Sequence, residues 1–323
     1  MILVTGASGF IGRAVCKKLT DIGMTVRGVS RSSDAPYGVA EIVRMDLEGS
    51  PDLDSICIGV HTIVHLAGRA HVLNDDSTDP AAAFTSANVS VTKDLAAAAL
   101  RQGVKRFIFL SSIGAVGSET DQGKSLSEAT SCKPTQLYAV SKLNAELELT
   151  NLIRGTEMEL VVIRPPLVYA GDAPGNFGRL LSIVRSGLPL PFLWVNNRRS
   201  MVALENLVDF IHACISNPLA ANETFVISDG TELTTPQIIR LLAQGMARPA
   251  RLFPVPVWMI GMGLGVLGRK AMYSQLCRSL VVDSTKASLL LGWTPPITSE
   301  KALAAAGADF MKKYDEERTG GKQ

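Results

Sequence analysis

Thr5-Gly6-Ala7-Ser8-Gly9-Phe10-Ile11-Gly12 is the stretch that decides the fold. It stands between a short apolar run at residues 2–4 and a segment at 11–19 whose apolar positions recur with helical period. A glycine-rich turn with a strand before it and a helix after it meets the demands of dinucleotide binding. Gly6 permits the tight turn, Gly9 lets backbone approach a pyrophosphate, and Gly12 lets helix pack close to strand. The helix start offers free N–H groups to the anion, so Ser8, Phe10 and Ile11 join the three glycines as expected contacts.

Outward from this loop, apolar runs alternate with helical patterns. Strands are expected at 25–30, 42–44, 62–65, 106–110 and 159–163, and helices at 85–100 and 137–153. Continuous apolar strands separated by helices argue for an α/β fold: a doubly wound, Rossmann-type parallel sheet covered on both faces. After Arg164-Pro165-Pro166 the texture changes, and residues 170–200, rich in Gly, Pro and Asn, are expected to be loops over a site. A helix at 206–215 and a strand at 224–227 are expected to return to the sheet. The expected division is a dinucleotide-binding domain, 1–165 with 203–228 returning, and a smaller, mostly helical C-terminal substrate domain, 166–202 with 229–323. Residues 318–323 read as a frayed polar tail.

The bulk properties narrow the class. The 323 residues carry a net charge of +2 and no long basic run, which gives no electrostatic reason to expect nucleic acid as a partner. Five cysteines at wide spacing, without CxxC, argue against a disulfide framework and for reduced thiols in the cytoplasm. Cys16 and Cys214 read as buried filler. The histidines form no spacing that suggests a metal site, and the N-terminus lacks the pattern of a signal peptide. The most apolar region, 252–267, is broken by Pro254 and Pro256 and is too short to span a bilayer. It reads as a buried or partner-facing helix, with contact to a membrane surface as the alternative.

Two features carry the chemistry. Tyr138 and Lys142 stand four residues apart, so a helix places them on one face. An ammonium near a phenol is expected to lower the phenol's pKa by roughly 1–3 units, toward a useful range for proton transfer. Ser111-Ser112 ends the apolar run at 106–110, at the carboxyl edge of a sheet where ligands bind. The second strand ends Val29-Ser30-Arg31-Ser32-Ser33, with no acid before Asp34. Arg31 with its serines suits a 2′-phosphate better than a ribose diol, so NADP(H) is the expected cofactor and NAD(H) the alternative.

Taken together, the TGxxGxxG loop, the strand ending in paired hydroxyls and the YxxxK about 25 residues later resemble the extended short-chain dehydrogenase/reductase family. The resemblance implies that Ser112, Tyr138 and Lys142 are catalytic, with Ser112 orienting the substrate oxygen. Ser111 is implied to be structural or to contact the nicotinamide. Asp46-Leu47 resembles the adenine-contacting pair of that family, and His65-Leu66-Ala67-Gly68 its cofactor turn, with Gly68 in place of the usual alanine. His65 is expected to be packed and hydrogen-bonded, and Asn88 to cap and support the long helix. Pro165 and Val168 are implied to line the nicotinamide end.

The second half resembles the nucleotide-sugar branch of the family: epimerases, dehydratases and 4-reductases of surface polysaccharide synthesis. The residues that carry this are 164–169, Gly175-Asn176-Phe177, 189–192, 198–202 and Leu291-Gly292-Trp293-Thr294-Pro295. A nucleoside diphosphate needs a cation for its phosphates and a slot for its base. Arg199 is the expected diphosphate ligand, Leu190 and Phe192 the expected walls for the base, and Asn176 an expected sugar or phosphate contact. The family's Val-Tyr-Gly-Pro is here Val168-Tyr169-Ala170-Gly171-Asp172, a departure near the nicotinamide end. The leading expectation is a 4-ketoreductase of a UDP-4-keto-6-deoxy-amino sugar. The alternative is a UDP-hexose or UDP-N-acetylhexosamine 4-epimerase, and the third reading a non-catalytic dinucleotide sensor. A homodimer through 85–100 and 137–153 is usual for the family.

Overall fold

The computed structural model describes residues 1–32, 36, 38–49, 52–70, 79–266 and 270–320. The chain opens with β1 (Ile2–Thr5), every residue of it buried. In α1 (Phe10–Asp21), Gly12, Val15, Cys16 and Leu19 are buried against the sheet at helical spacing. There follow β2 (Val26–Ser30), β3 (Glu41–Arg44), α2 (Leu53–Cys57) and β4 (Thr62–His65). Next come α3 (Pro80–Thr85), α4 (Val91–Arg101), β5 (Arg106–Leu110), α5 (Leu137–Ile153) and β6 (Glu159–Arg164).

Beyond β6 lie β7 (Leu167–Tyr169), α6 (Gly175–Ser186), β8 (Met201–Ala203), α7 (Leu204–Ser216) and β9 (Thr224–Val226). The chain then runs through α8 (Thr235–Gly245), α9 (Val257–Val266), α10 (Lys270–Cys277), α11 (Thr285–Leu291) and α12 (Ser299–Gly320). The main sheet is seven-stranded, in the order β3-β2-β1-β4-β5-β6-β9, and each pairing is parallel. This is the doubly wound Rossmann-type sheet with a mostly helical C-terminal region. The order reverses between β1 and β4, which opens a crevice at their carboxyl ends.

Each face of the sheet carries its own core. Val4, Ile108, Ile163 and Phe225 point to one side with Phe210 and Ile211 of α7. Leu3, Ile63, Phe107 and Phe109 point to the other, against Leu95 of α4 and Leu149 of α5. Full burial of one such side chain stabilises by about 1.5–3 kcal/mol, which is why these strands read as unbroken apolar runs. A third core, around Phe177, Leu181, Phe192, Ile239, Leu242 and Leu303, holds α6, α8 and α12 together. Phe10, at the start of α1, packs against this third core and ties the two bodies together beside the phosphate loop.

Three expectations are corrected. Residues 170–200 are not all loop. Phe177, Leu181 and Val184 are buried along α6, and Gly187 closes that helix in the left-handed conformation, at φ 68°. The helix expected at 85–100 contains a π-helical turn at Ser86–Ser90, so Asn88 lies inside a helical run and caps nothing. The tail expected to fray from 318 is helical through Gly320, and 321–323 lie outside the described residues, as do Ser33 and Asp34.

Candidate active site

The phosphate loop is closed by contacts that only glycine allows. At Gly12 a Cβ would lie 2.0 Å from the Gly6 carbonyl oxygen, which is overlap. Gly6 itself sits at φ +68°, and a Cβ there would meet Ala67 N at 2.9 Å. The loop is thereby pressed against the turn after β4, and the start of α1 is left as a cradle with N–H groups free for an anion. These residues fit a bound dinucleotide.

A cleft of ≈ 550 Å³ extends from this cradle, lined by Gly6, Ser8, Gly9, Arg31, Asp46, Leu47, Leu66, Ala67 and Gly68 among others. Ser8 Oγ lies 2.6 Å from Ser30 Oγ, and Ser32 N donates to Ser30 Oγ at 3.0 Å, so the β2 turn is tied to the phosphate loop. Arg31 is exposed at the cleft edge, and its carbonyl accepts from Arg44 Nε at 3.3 Å. Asp46 Oδ1 accepts from Glu48 N at 3.2 Å. Of the remaining loop residues, Gly12 and Ile11 pack toward the sheet.

His65 is buried and neutral. Its Nδ1 lies 2.7 Å from Thr5 Oγ1 and its Nε2 2.9 Å from Thr92 Oγ1. Burial, then the charge of Lys142, push its pKa down to about 3. It is therefore a packing and hydrogen-bonding residue, as expected.

Gly68, which lines this cleft, borders Asn88 and Lys142. A Cβ on Gly68 would stand 2.9 Å from Asn88 Oδ1 and 3.3 Å from Lys142 Nζ. The glycine that replaces the family's alanine thus makes room for both. Asn88 is buried, accepts from Arg69 N at 2.7 Å and donates to Arg69 O at 3.1 Å and to Ser141 Oγ at 2.8 Å. Its part is to clamp the cofactor turn onto α5, next to Tyr138. A π turn carrying such a residue is a common device at functional sites.

Tyr138 lies in the first turn of α5, and Ser112, just past β5, is the side chain that pulls on its phenol. Ser112 Oγ also accepts from Gly114 N at 3.1 Å. Lys142 is buried one turn further on, and its Nζ donates to Leu110 O at 2.9 Å, 4.6 Å above the Phe109 ring. The expected lowering of the phenol by this ammonium is corrected. Burial pushes Tyr138 up to about 12, with Ser112 pulling the other way, while burial pushes Lys142 down to about 8 against the pull of Glu146. The lysine is committed to a backbone carbonyl and an aromatic face, so desolvation governs both groups.

Ser111 is buried and gives its hydroxyl to Glu146, whose carboxylate also holds Arg164 Nε at 3.0 Å. Pro165 follows, buried, with its carbonyl accepting from Ile113 N at 2.9 Å. Val168 packs on the sheet core from β7. The departure at 170–172 has a packing reason. A Cβ on Gly171 would lie 2.6 Å from Asp309 Cβ and 2.9 Å from Ala306 O, so glycine lets the loop seat against α12. Asp172 then reaches Arg13 at 3.5 Å.

In the second body, Asn176 is half-buried in the first turn of α6. Leu190 is bridged to Leu252, and Phe192 is buried in the third core. Arg199 is only 8% exposed. Its Nη1 meets the Arg278 carbonyl at 3.4 Å, and among the described residues no carboxylate pairs with it. Burial pushes it down to about 10, which still leaves it charged at neutral pH. A buried charge without a counter-ion costs several kcal/mol, and an anionic ligand relieves that cost.

Sequence reasoning missed the buried supports: Glu146, Arg164, Asn88's clamp, and the bonds from Tyr169, Asn206 and Ala203 N to Asp229. None of these pairs has a short sequence spacing that would reveal it.

Comparison with known proteins agrees with this geometry. The UDP-glucose 4-epimerase of Vibrio cholerae is 34% identical over 318 residues, spanning 96% of this chain and 95% of that protein. The N-acetyl-alpha-D-glucosaminyl-diphospho-ditrans,octacis-undecaprenol 4-epimerase of Escherichia coli O157:H7 is 27% identical, spanning 94% of this chain and 92% of that protein. The crystal structure of UDP-glucuronic acid 4-epimerase from Bacillus cereus in complex with NAD shares the fold, with a TM-score of 0.77 at 21% identity over 97% of this chain and 96% of that one. Residues 2–228 match the NAD dependent epimerase/dehydratase family, and the chain belongs to that family.

Proposed function

We propose that this protein is a 4-epimerase of hexoses or N-acetylhexosamines carried on a diphosphate, with UDP-sugars as its first substrates. The observation that carries the reading is the buried, uncompensated Arg199, a site for a diphosphate, in one chain with Tyr138, Ser112 and Lys142 at the end of a dinucleotide cleft. The likeness to 4-epimerases over nearly the whole chain supports it.

A nicotinamide dinucleotide held by Gly6, Ser8, Gly9, Phe10, Ile11, Gly12, Arg31, Asp46, Leu47, Leu66, Ala67 and Gly68 supplies the hydride acceptor and donor. Tyr138 exchanges a proton with the C4 oxygen: as phenolate, once its own proton has left to solvent, it takes the hydroxyl proton in the oxidative half, and as phenol it returns that proton in the reductive half. Ser112 donates a hydrogen bond to the same oxygen. Lys142 keeps a positive charge beside the reacting centre whenever it is protonated. Residues 166–202 and 229–323 serve as the substrate domain, with Arg199 on the diphosphate, Asn176 on sugar or phosphate, and Leu190 and Phe192 by the base. The exposed Leu137, Val140 and Leu147 of α5 supply a face for a homodimer.

One observation favours a second reading. Arg31 is exposed at the cleft edge beside Ser32, with no acid before Asp34 in the sequence, which suits NADPH and therefore a 4-ketoreductase of a UDP-4-keto-6-deoxy-amino sugar. The test incubates the protein with UDP-glucose or UDP-N-acetylglucosamine without added cofactor and follows inversion at C4 by NMR. UDP-4-keto-6-deoxy-N-acetylglucosamine with NADPH or NADH runs in parallel, followed by absorbance. Inversion without net oxidation supports the epimerase. Oxidation of NADPH with no inversion overturns it in favour of the reductase.

A further inference from the structure

Helix α9 is apolar all the way round, Val-Trp-Met-Ile-Gly-Met-Gly-Leu-Gly-Val, and only one side of it is covered. Val257, Ile260 and Leu264 pack into the third core, and Gly261 lies under the Tyr273 ring of α10. The other side is bare: Trp258 is 63% exposed, Met262 58% and Val266 89%. A helix hydrophobic on every face is ordinarily buried on every face.

The bare side continues onto a second segment. Leu190 N bonds Arg251 O at 2.8 Å, Phe253 N bonds Leu190 O at 3.0 Å, and Leu193 N bonds Phe253 O at 3.3 Å. This short ladder sets the exposed Leu193 and Trp194 beside the exposed Phe253. In such an extended stretch, Arg251 and Phe253 share the side opposite the partly buried Leu252.

Charge distinguishes the occupant. Residues 187–197 and 246–266, which carry this patch, hold the exposed Arg248 and Arg251 and not one aspartate or glutamate. A second copy docked through the same face would set this cationic stretch against itself. A bilayer with anionic headgroups complements Arg248 and Arg251, and the bare Phe253, Trp258, Met259 and Met262 offer apolar surface to its acyl boundary. Among the described residues no helix is long and apolar enough to cross a membrane.

We infer that α9, with the loop at Leu193 and Trp194, seats the protein on an anionic membrane surface. The helix lies in the interface, Trp258 and Met262 enter the acyl boundary, and Arg251 meets headgroup phosphates. The inference rests on exposure and charge, and stands whichever sugar the enzyme takes.

The experiment sediments the full chain with vesicles of phosphatidylcholine plus phosphatidylglycerol, and with phosphatidylcholine alone. Tight binding to the first and weak binding to the second is expected, with loss of the difference at high salt. Arg251→Glu weakens the anionic arm by at least roughly fivefold, the contribution of about one basic residue near such a surface. Trp258→Ser with Met262→Ser abolishes binding while the urea midpoint is kept, since both side chains are exposed in the folded chain. Brominated lipid quenches tryptophan fluorescence in the native chain, reading Trp258 and Trp194, because Trp293 is buried. Absence of binding to the anionic vesicles overturns the inference. So does a solution dimer that the Trp258 and Met262 changes dissociate, which gives the face to a second copy.

Discussion

Arg164 and Glu146 form a buried ion pair, with Arg164 Nη2 2.5 Å from one carboxylate oxygen and Nε 3.0 Å from the other. Ser111 gives its hydroxyl to that carboxylate, and Lys142 precedes Glu146 by one helical turn. The pair therefore fixes α5 against the ends of β5 and β6, where Ser112, Tyr138 and Lys142 must meet. Removing one partner of a buried pair leaves an uncompensated charge and costs about 3–5 kcal/mol. Glu146→Ala is expected to lose that much stability in urea unfolding. The double change Glu146→Leu with Arg164→Met is expected to recover most of it, since the stranded charge is gone. A double variant as unstable as the single one would refute this account of the pair.

The phosphate loop gives the sharpest steric prediction. A Cβ at position 12 would stand 2.0 Å from the Gly6 carbonyl oxygen, well inside contact distance, and the clash is with backbone. Gly12→Ala must shift α1 away from β1 or distort the loop. Dinucleotide binding by calorimetry is expected to fall by at least tenfold, about 1.4 kcal/mol, in a chain that still folds. Gly23→Ala serves as the contrast: its φ of +81° strains alanine, yet nothing lies within 4 Å, so stability suffers a little and binding does not.

His65 makes stability depend on pH. Its folded pKa of about 3 lies below the ordinary 6.5, chiefly because of burial. Between those values the unfolded chain binds the extra proton and the folded chain does not, so stability is complete above pH about 6.5 and falls as pH drops toward 3. The slope from this one group is about 1.4 kcal/mol per pH unit. His65→Asn is expected to be less stable at neutral pH and to show a flatter profile between pH 4 and 6.5. Equal slopes in the two proteins, measured by urea unfolding, would assign the acid sensitivity elsewhere.

Much of this architecture is legible in the sequence because its signals are local. The three glycines of the loop, the apolar runs of β1, β4, β5 and β6, and the four-residue step from Tyr138 to Lys142 each declare themselves within a few residues. Helix α6 carried a local signal too, since Phe177, Leu181 and Val184 keep helical spacing, but Pro174, Gly175 and Gly178 around them outweighed it in composition. The supports are another matter. Glu146 with Arg164 and Asn88 with Arg69 and Ser141 join separate elements, and no periodicity links them. Lys142's choice of the Leu110 carbonyl is of the same kind: helical geometry says which face the ammonium shares, not which acceptor waits across that face.

Arg199 tests the diphosphate reading. The side chain is buried without a carboxylate partner, so the fold carries a desolvation cost that a ligand's anion offsets. Arg199→Met keeps the aliphatic stem and removes the charge. The variant is expected to be as stable as the native chain or more so by urea unfolding, because the unpaired cation is gone. Binding of UDP by calorimetry is expected to weaken by about 2 kcal/mol or more, roughly thirtyfold. A variant that loses stability and keeps UDP affinity would make Arg199 a structural cation.

Tyr138 is the last and most direct test. Burial holds its phenol up to about 12 against the pull of Ser112, so it stays protonated at neutral pH, the form that can deliver a proton to a C4 oxygen. Loss of a positioned proton donor typically costs about 10²–10⁴-fold in rate. Tyr138→Phe keeps the ring that meets Phe84 edge-on at 6.4 Å, so α5 should hold its place. The expected result is a fall in kcat of at least 10²-fold, with little change in KM and none in dinucleotide affinity. Lys142 adds a pH signature. Its ammonium, pushed down to about 8 by burial, is charged below that pH and lost above it, so turnover that depends on the charge should decline as pH rises through about 8. The Lys142→Met variant should show no such decline. Full turnover by Tyr138→Phe would remove the phenol from the chemistry, whatever the substrate.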